Sequence, residues 1–143
     1  MDTNSISAGT TDPTQIQWAV NVIQNSPYPV IIAMHIVYLS GADVQSQTPC
    51  SFFTDLISAI GNNSNVKMII AGHLHNDLSF IASNGVPVVI LDTDSRFADD
   101  GITRVKGTTT EQCLSIVIID YSNKLITITR VGAIKNSFTV SYD

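Results

Sequence analysis

The sequence predicts an α/β domain with a mixed β-sheet and two helices. Two predominantly apolar runs without regular polar alternation, residues 30–35 and 66–71, are typical of strands that are buried on both faces. An amphipathic helical pattern precedes each run, and strand-forming runs separated by turn residues fill the last third of the chain. We therefore expect the first strands to be parallel and the later ones to be antiparallel hairpins, all within a single domain of residues 1–143.

The two helices are predicted from caps and apolar spacing. The first begins at Pro13, which suits a first turn because it lacks a donor there, and Asp12 can cap the free amides. It should end near Gln24, and its apolar residues at helical spacing are Ile16, Ala19, Val20 and Ile23. We interpret Trp18 as a core residue of this helix. The second helix should bury Phe52, Phe53, Leu56, Ile57 and Ile60 and end at Gly61.

The remaining strands are predicted from turns. A hairpin of Leu78 to Ala82 and Val86 to Leu91 should form around Asn84-Gly85, a strong turn signal. Three further strands should end the chain, namely Cys113 to Tyr121, Leu125 to Val131 and Phe138 to Tyr142.

Composition limits the classes of partner. The formal net charge is -5, and the seven Lys and Arg residues are scattered along the chain. No basic stripe is therefore available to neutralise a phosphate backbone, which argues against duplex nucleic acid as a partner. Phosphorylated small molecules stay possible, because bound divalent cations can reverse the local field of an acidic protein.

The chain shows no targeting or anchoring signal. Residues 1–11 are polar, and no apolar run reaches membrane-spanning length, so we expect a cytoplasmic protein without a membrane partner. Two cysteines, Cys50 and Cys113, do not resemble a disulfide framework in a chain of this length, and we expect reduced, buried thiols.

All three histidines, His35, His73 and His75, lie at or just past the carboxyl ends of the two predicted parallel strands. Neighbouring strands of an open α/β sheet bring such residues into one crevice. A single histidine at a strand end usually just hydrogen-bonds a carbonyl. Three at adjacent strand ends favour a metal site, because neutral imidazole is a common ligand of first-row metals. Gly72 should allow a sharp turn close to the metal.

At these residues the sequence resembles a known family. Gly72-His73-Leu74-His75 resembles the closing GHxH motif of the calcineurin-like metallophosphoesterases, and His35 resembles the isolated middle histidine of that family. Residues 15–18, Gln-Ile-Gln-Trp, are similar to the Gln-x-x-Trp start of the helix before that histidine. Residues 76–77, 110–112 and 130–133 resemble phage and bacterial members.

The resemblance implies both a fold and a chemistry. It implies the C-terminal half of an αββα sandwich that hydrolyses phosphomonoesters or phosphodiesters, with a phosphorylated small molecule or nucleotide as substrate. The complete family site holds two divalent metal ions, with Mn, Fe or Zn as candidates, and clamps the phosphate between them. By this resemblance His35 and His73 ligate one ion and His75 ligates the other. It assigns no catalytic residue in this chain, and nothing predicts an organic cofactor.

The early motifs of the family do not occur in this sequence. DxH, GDxxD and GNH(D/E), which supply the remaining ligands, are absent. The resemblance thus implies that the remaining ligands belong to a missing N-terminal half and that the isolated chain lacks a complete site. The expected protein partner is that missing half or a second copy of the chain. Asp77, Asp92 and Asp94 are candidate substitute ligands, but acids in loops are usually solvated. Asp77 is better suited to stabilising the turn after His75.

Two alternatives remain open. The first is a non-catalytic structural or interaction domain of a phage-like assembly, in which exposed sheet edges favour a dimer. The second is a domain that binds a single metal ion through His35, His73 and His75. A cysteine hydrolase is disfavoured, because Cys50 and Cys113 fall in a predicted helix start and a predicted strand.

Overall fold

A computed structural model of the chain describes residues 12–37, 51–62, 65–73, 77–91, 104–133 and 137–142. The helices are α1 (Pro13–Asn25) and α2 (Ser51–Ile60). The strands are β1 (Val30–Ala33), β2 (Val66–Ala71), β3 (Leu78–Ile81), β4 (Pro87–Ile90), β5 (Cys113–Asp120), β6 (Leu125–Gly132) and β7 (Ser137–Ser141). Within these ranges no helix has both the length and the apolar character needed to cross a membrane.

The first sheet is mixed, as the sequence predicts. Its strand order is β1-β2-β4-β3. β2 pairs in parallel with β1 on one side and with β4 on the other, whereas β3 pairs antiparallel with β4. Parallel pairing places the carboxyl ends of β1, β2 and β4 at one edge of this sheet. The start of β3 lies at the same edge, because Leu78 pairs with Ile90.

The second sheet contains the three C-terminal strands that the sequence predicts. Its order is β5-β6-β7, and both pairs are antiparallel. These strands do not extend the first sheet, as a single mixed sheet would require, but form a separate layer. The physical reason is visible in β6, where Ile126 and Ile128 alternate with threonines and are buried against the first sheet.

The first sheet is covered on both faces. In β2, Ile69 and Ala71 belong to the cluster that includes both helices, whereas Met68 and Ile70 belong to the cluster shared with the second sheet. The layers are therefore helices, first sheet and second sheet. Burial on both faces explains why β2 is apolar without interruption from Met68 to Ala71.

The first helix confirms its predicted start. Asp12 Oδ1 accepts hydrogen bonds from the amides of Thr14 at 2.9 Å and Gln15 at 3.3 Å, as an N-cap should. The expectation that Trp18 is a core residue is wrong, because 58% of its surface is exposed. A helix turns by about 100° per residue. When Ile16, Ala19 and Ile23 face the core, Trp18 therefore points away from the buried face of the helix.

Other predicted features are confirmed. Phe52 and Phe53 are buried in α2, and Cys113 is a free, buried thiol; Cys50 lies outside the described residues. The β3–β4 hairpin turns at Asn84-Gly85, where Gly85 has a φ of 85°. This left-handed backbone conformation explains the glycine in the turn.

Candidate functional site

The end of β1 delivers His35 to the carboxyl edge of the first sheet. Backbone bonding continues past the strand, since the Met34 amide donates to the Ile70 carbonyl at 3.0 Å and the Gly72 amide donates to the His35 carbonyl at 3.1 Å. This ladder aligns His35 with the residues that follow β2. The chain segments that carry His35 and His73 are therefore held side by side by main-chain hydrogen bonds.

The two imidazole rings of His35 and His73 lie close together. Their centroids are 5.2 Å apart with an interplanar angle of 76°, and both residues are exposed. The predicted convergence of these two histidines is confirmed. Exposure matters because ring nitrogens at a solvent-facing edge can receive an ion or a ligand.

The backbone at His73 is unusual. Its φ is 75°, in the left-handed region that non-glycine residues seldom adopt. Such conformations cost about 1 to 3 kcal/mol and concentrate at functional sites. The sharp turn expected at Gly72 is made instead by His73: Gly72 does not have a positive φ, and an added Cβ there would approach His35 Nδ1 only to 3.8 Å, an ordinary contact.

The pair fits part of the ligand set of a transition metal. When two imidazole nitrogens each lie about 2.1 Å from one ion, their ring centroids are roughly 5 Å apart, which matches the observed separation. His75 lies outside the described residues, so the three-histidine site stays a prediction. Within the described part of the chain, no group of three or more His, Cys, Asp or Glu residues is arranged to hold a metal ion.

A buried ion pair lies at the same edge of the first sheet. Asp77 precedes β3, and its Oδ2 atom is 3.5 Å from Nε of Arg130 in β6. The two side chains are only 5% and 3% exposed, respectively. The guanidinium also donates from Nη1 to Oγ of Ser115 in β5 at 2.7 Å. Asp77 is therefore buried and paired with Arg130, whereas Asp92 and Asp94 lie outside the described residues. That Asp77 stabilises the turn after His75 stays a prediction, because residues 74–76 also lie outside the described part of the chain.

Sequence reasoning missed Arg130 and Ser115 as residues near this edge. One signal was available, because Arg130 continues the alternation of Ile126 and Ile128 and so occupies an inward-facing position of β6. An inward-facing arginine requires a buried acceptor or anion. Nothing in the local sequence indicates that Asp77 supplies it.

Comparison with known proteins identifies the fold. No family model and no curated protein matches the sequence. Among solved structures, the chain is similar to a dimetal phosphatase from Danio rerio, with a TM-score of 0.67 and 18% sequence identity. The match covers 92% of this chain and 38% of that chain, so the chain spans well under half of the phosphatase.

The comparison confirms the predicted fold class. A mixed sheet with two helices and an antiparallel second sheet occurs in a protein described as a dimetal phosphatase. Nothing in the comparisons supports a phage-type origin. The chain shares the fold of the matched part of this dimetal phosphatase, and it carries His35 and His73 side by side at the carboxyl edge of its first sheet.

Proposed function

We propose that this chain supplies the histidine half of a metal-dependent phosphoesterase site. In this proposal His35 and His73 are ligands of one divalent first-row metal ion, and His75 is a ligand of a second. The reaction class is hydrolysis of a phosphomonoester or phosphodiester, and the substrate is a phosphorylated small molecule or nucleotide. Mn, Fe and Zn are the candidate metals, because each accepts imidazole nitrogen.

One observation carries the proposal. The 5.2 Å approach of the His35 and His73 rings occurs at the carboxyl edge of parallel strands, where α/β proteins bind ligands. The same fold in the Danio rerio protein belongs to a dimetal phosphatase. A pair of purely structural histidines would more often be buried, whereas both of these residues are exposed.

The contribution of the chain is to hold two neutral nitrogen donors at a fixed separation. The main-chain bond from Gly72 to His35 joins the two histidine segments directly. Metal ions in such a site polarise the phosphate and activate water. Two or three imidazoles carry no negative charge to balance divalent ions, so we propose that carboxylate ligands come from elsewhere in the complete protein.

The proposed source of these carboxylates is a complementary polypeptide that supplies the rest of the fold. Support comes from the matched length, since the chain corresponds to 38% of the solved phosphatase chain. The outer face of β5 offers a surface for it, because Leu114, Ile116 and Ile118 are about half exposed. A second copy of this chain is the alternative occupant.

Metal analysis tests the proposal. We expect the purified chain to bind Mn²⁺ or Zn²⁺ in calorimetric titration and to lose that binding in His35→Ala and His73→Ala. Asn123→Ala, a change at the exposed end of β5 and β6, is the matched control and should bind as the wild type does. Hydrolysis of bis-p-nitrophenyl phosphate with Mn²⁺ should require the complementary polypeptide. Failure of the wild-type chain to bind any of these metals would contradict the proposal.

The exposed aliphatic side chains of β5, Leu114, Ile116 and Ile118, favour a second candidate function, that of a non-catalytic interaction domain. Its distinguishing result would be a stable complex or homodimer, by light scattering, without metal binding or turnover. Ile118→Lys should then abolish the complex, because it places a charge on the outer face of β5.

A further inference from the structure

The Asp77–Arg130 ion pair joins the histidine edge of the first sheet to the second sheet. Asp77 lies four residues after His73 and directly precedes β3. Arg130 lies near the end of β6, where it pairs with Ser115 of β5. The pair is therefore a charged side-chain link between two layers that pack mainly through apolar residues.

Because the ion pair is buried, its main effect is to favour one arrangement of the two segments, and its net contribution to folding stability is small. The side chains of Arg130 and Asp77 are 3% and 5% exposed, and their charged atoms lie 3.5 Å apart. Desolvation of two charges offsets most of their attraction, so a neutral pair of similar volume often leaves a protein equally stable. What a buried pair does provide is one preferred arrangement of the segments that carry it, because a displaced charge would be left uncompensated.

The arrangement held here is that of the chain around His73. One end of the segment is anchored by main-chain bonds, with the Gly72 amide donating to His35 and the Leu91 amide donating to the Ala71 carbonyl at 2.8 Å. His73 follows with its left-handed φ of 75°, a conformation that needs support from its surroundings. Asp77 is the next described residue, and its carboxylate is held by Arg130.

We propose that Asp77 and Arg130 are positioning residues that fix His73 for metal binding. Ser115 extends the arrangement, since its hydroxyl accepts from Arg130 Nη1 at 2.7 Å and so orients the guanidinium toward Asp77. The proposal rests on the proposed function, because it assigns the pair to the metal ligand His73. In this proposal neither residue touches the metal, and both act on His73 indirectly, by fixing the chain at Asp77, four residues after His73.

The test uses a neutral replacement of the whole pair. Asp77→Asn/Arg130→Met removes both charges together and avoids a lone buried charge. We expect it to keep the circular dichroism spectrum and to bind Mn²⁺ roughly tenfold more weakly than wild type, the loss typical of changes in residues that orient metal ligands. Arg130→Lys keeps the charge but not the planar guanidinium, and its Mn²⁺ affinity should lie between those of wild type and the double variant. Asn123→Ala is the control, with unchanged affinity.

The outcomes separate this inference from the proposed function. Wild-type metal affinity in the folded double variant, or lower thermal stability without a change in metal affinity, would overturn the positioning role. If the wild-type chain binds no metal, the proposed function fails. The NMR signals of the His73 ring in metal-free protein then decide the positioning role. A shift in both Arg130→Lys and the double variant supports it, and unchanged signals overturn it.

Discussion

The two sheets of this molecule differ in how their faces are covered. In the first sheet, Ile69 and Val89 are fully buried, because helices cover one face and the second sheet covers the other. In the second sheet, β6 buries Ile126 and Ile128 toward the first sheet, whereas Leu114, Ile116 and Ile118 of β5 remain exposed. The first sheet is thus buried on both faces, whereas the second sheet is buried on one face only.

This difference in coverage gives the two sheets different surroundings. The first sheet has a rigid interior and presents His35 and His73 at its carboxyl edge. The second sheet contributes Arg130 to that edge and offers an uncovered aliphatic face on the other side. Substitutions of similar chemistry should therefore have different effects in the two sheets.

The largest expected effect separates two matched isoleucines. Ile69→Ala should lower the free energy of unfolding by about 3 to 4 kcal/mol, because it creates a cavity in a core that is closed on both faces. Ile116→Ala should lower it by less than about 1 kcal/mol, because 48% of that side chain is exposed. Denaturant titration measures both. Equal losses would contradict the difference in coverage between the sheets.

A second effect is expected at the end of β6. Gly132 has a φ of 117°, and a Cβ there would overlap the carbonyl oxygen of Gln112, which also accepts from the Ala133 amide at 3.0 Å. Gly132→Ala should cost about 2 to 3 kcal/mol. Gly107→Ala is the control: its φ is 77°, but an added Cβ meets nothing within 4 Å. It should cost only about 1 kcal/mol, the conformational part alone. Similar melting temperatures for the two variants would argue against close packing at Gly132.

A smaller effect compares the hairpins of the two sheets. Asn84 Nδ2 in the first sheet donates to the Gly61 carbonyl at 2.8 Å and so links the β3–β4 turn to the end of α2. Asn84→Ala should lower stability by about 1 kcal/mol, because a half-buried carbonyl loses its donor. Asn123→Ala, in the exposed β5–β6 turn, should cost a few tenths of a kcal/mol. Thermal unfolding followed by circular dichroism distinguishes them, and a costlier Asn123→Ala would reverse the expected order.

The smallest effect concerns pH. The Asn123 side chain, followed by the Asn123 and Ser122 amides, holds the pKa of Asp120 below its ordinary value of 3.8. A carboxyl whose folded pKa is lowered stabilises the fold above its unfolded pKa, and this contribution is lost as pH falls through the folded pKa. Wild type should therefore lose slightly more stability than Asp120→Ala on acidification below about pH 4. Parallel pH profiles for the two proteins would show that the turn contributes nothing.

Much of the fold was predictable because local signals agreed with the final packing. The apolar runs of β1 and β2, the cap at Asp12 and the turn at Asn84-Gly85 all depend on neighbouring residues. Trp18 was misassigned because spacing identifies a helix but does not determine which residues border the buried face. The separation into two sheets also depends on tertiary packing, which no single strand encodes.

The candidate site was predictable in part. The proximity of His35 and His73 was predictable, because parallel strands place their carboxyl ends at one edge of a sheet. The structure confirms that the two rings lie close together. Arg130 could have been noticed as an inward-facing charge, but its pairing with Asp77 joins residues 53 positions apart in sequence. Such a long-range pair follows from the way the sheets pack. The positive φ of His73 was likewise not indicated by the motif, in which Gly72 was the expected turn residue.

The most direct test of the account is where a metal ion binds. Substoichiometric Mn²⁺ broadens the NMR signals of nearby protons, so the imidazole signals of His35 and His73 can be followed together during a titration. We predict that these two rings broaden first and in parallel, and that a chelator restores both. Broadening that begins at half-exposed carboxylates such as Asp120, with both imidazoles unchanged, would contradict a metal site at the carboxyl edge of the first sheet.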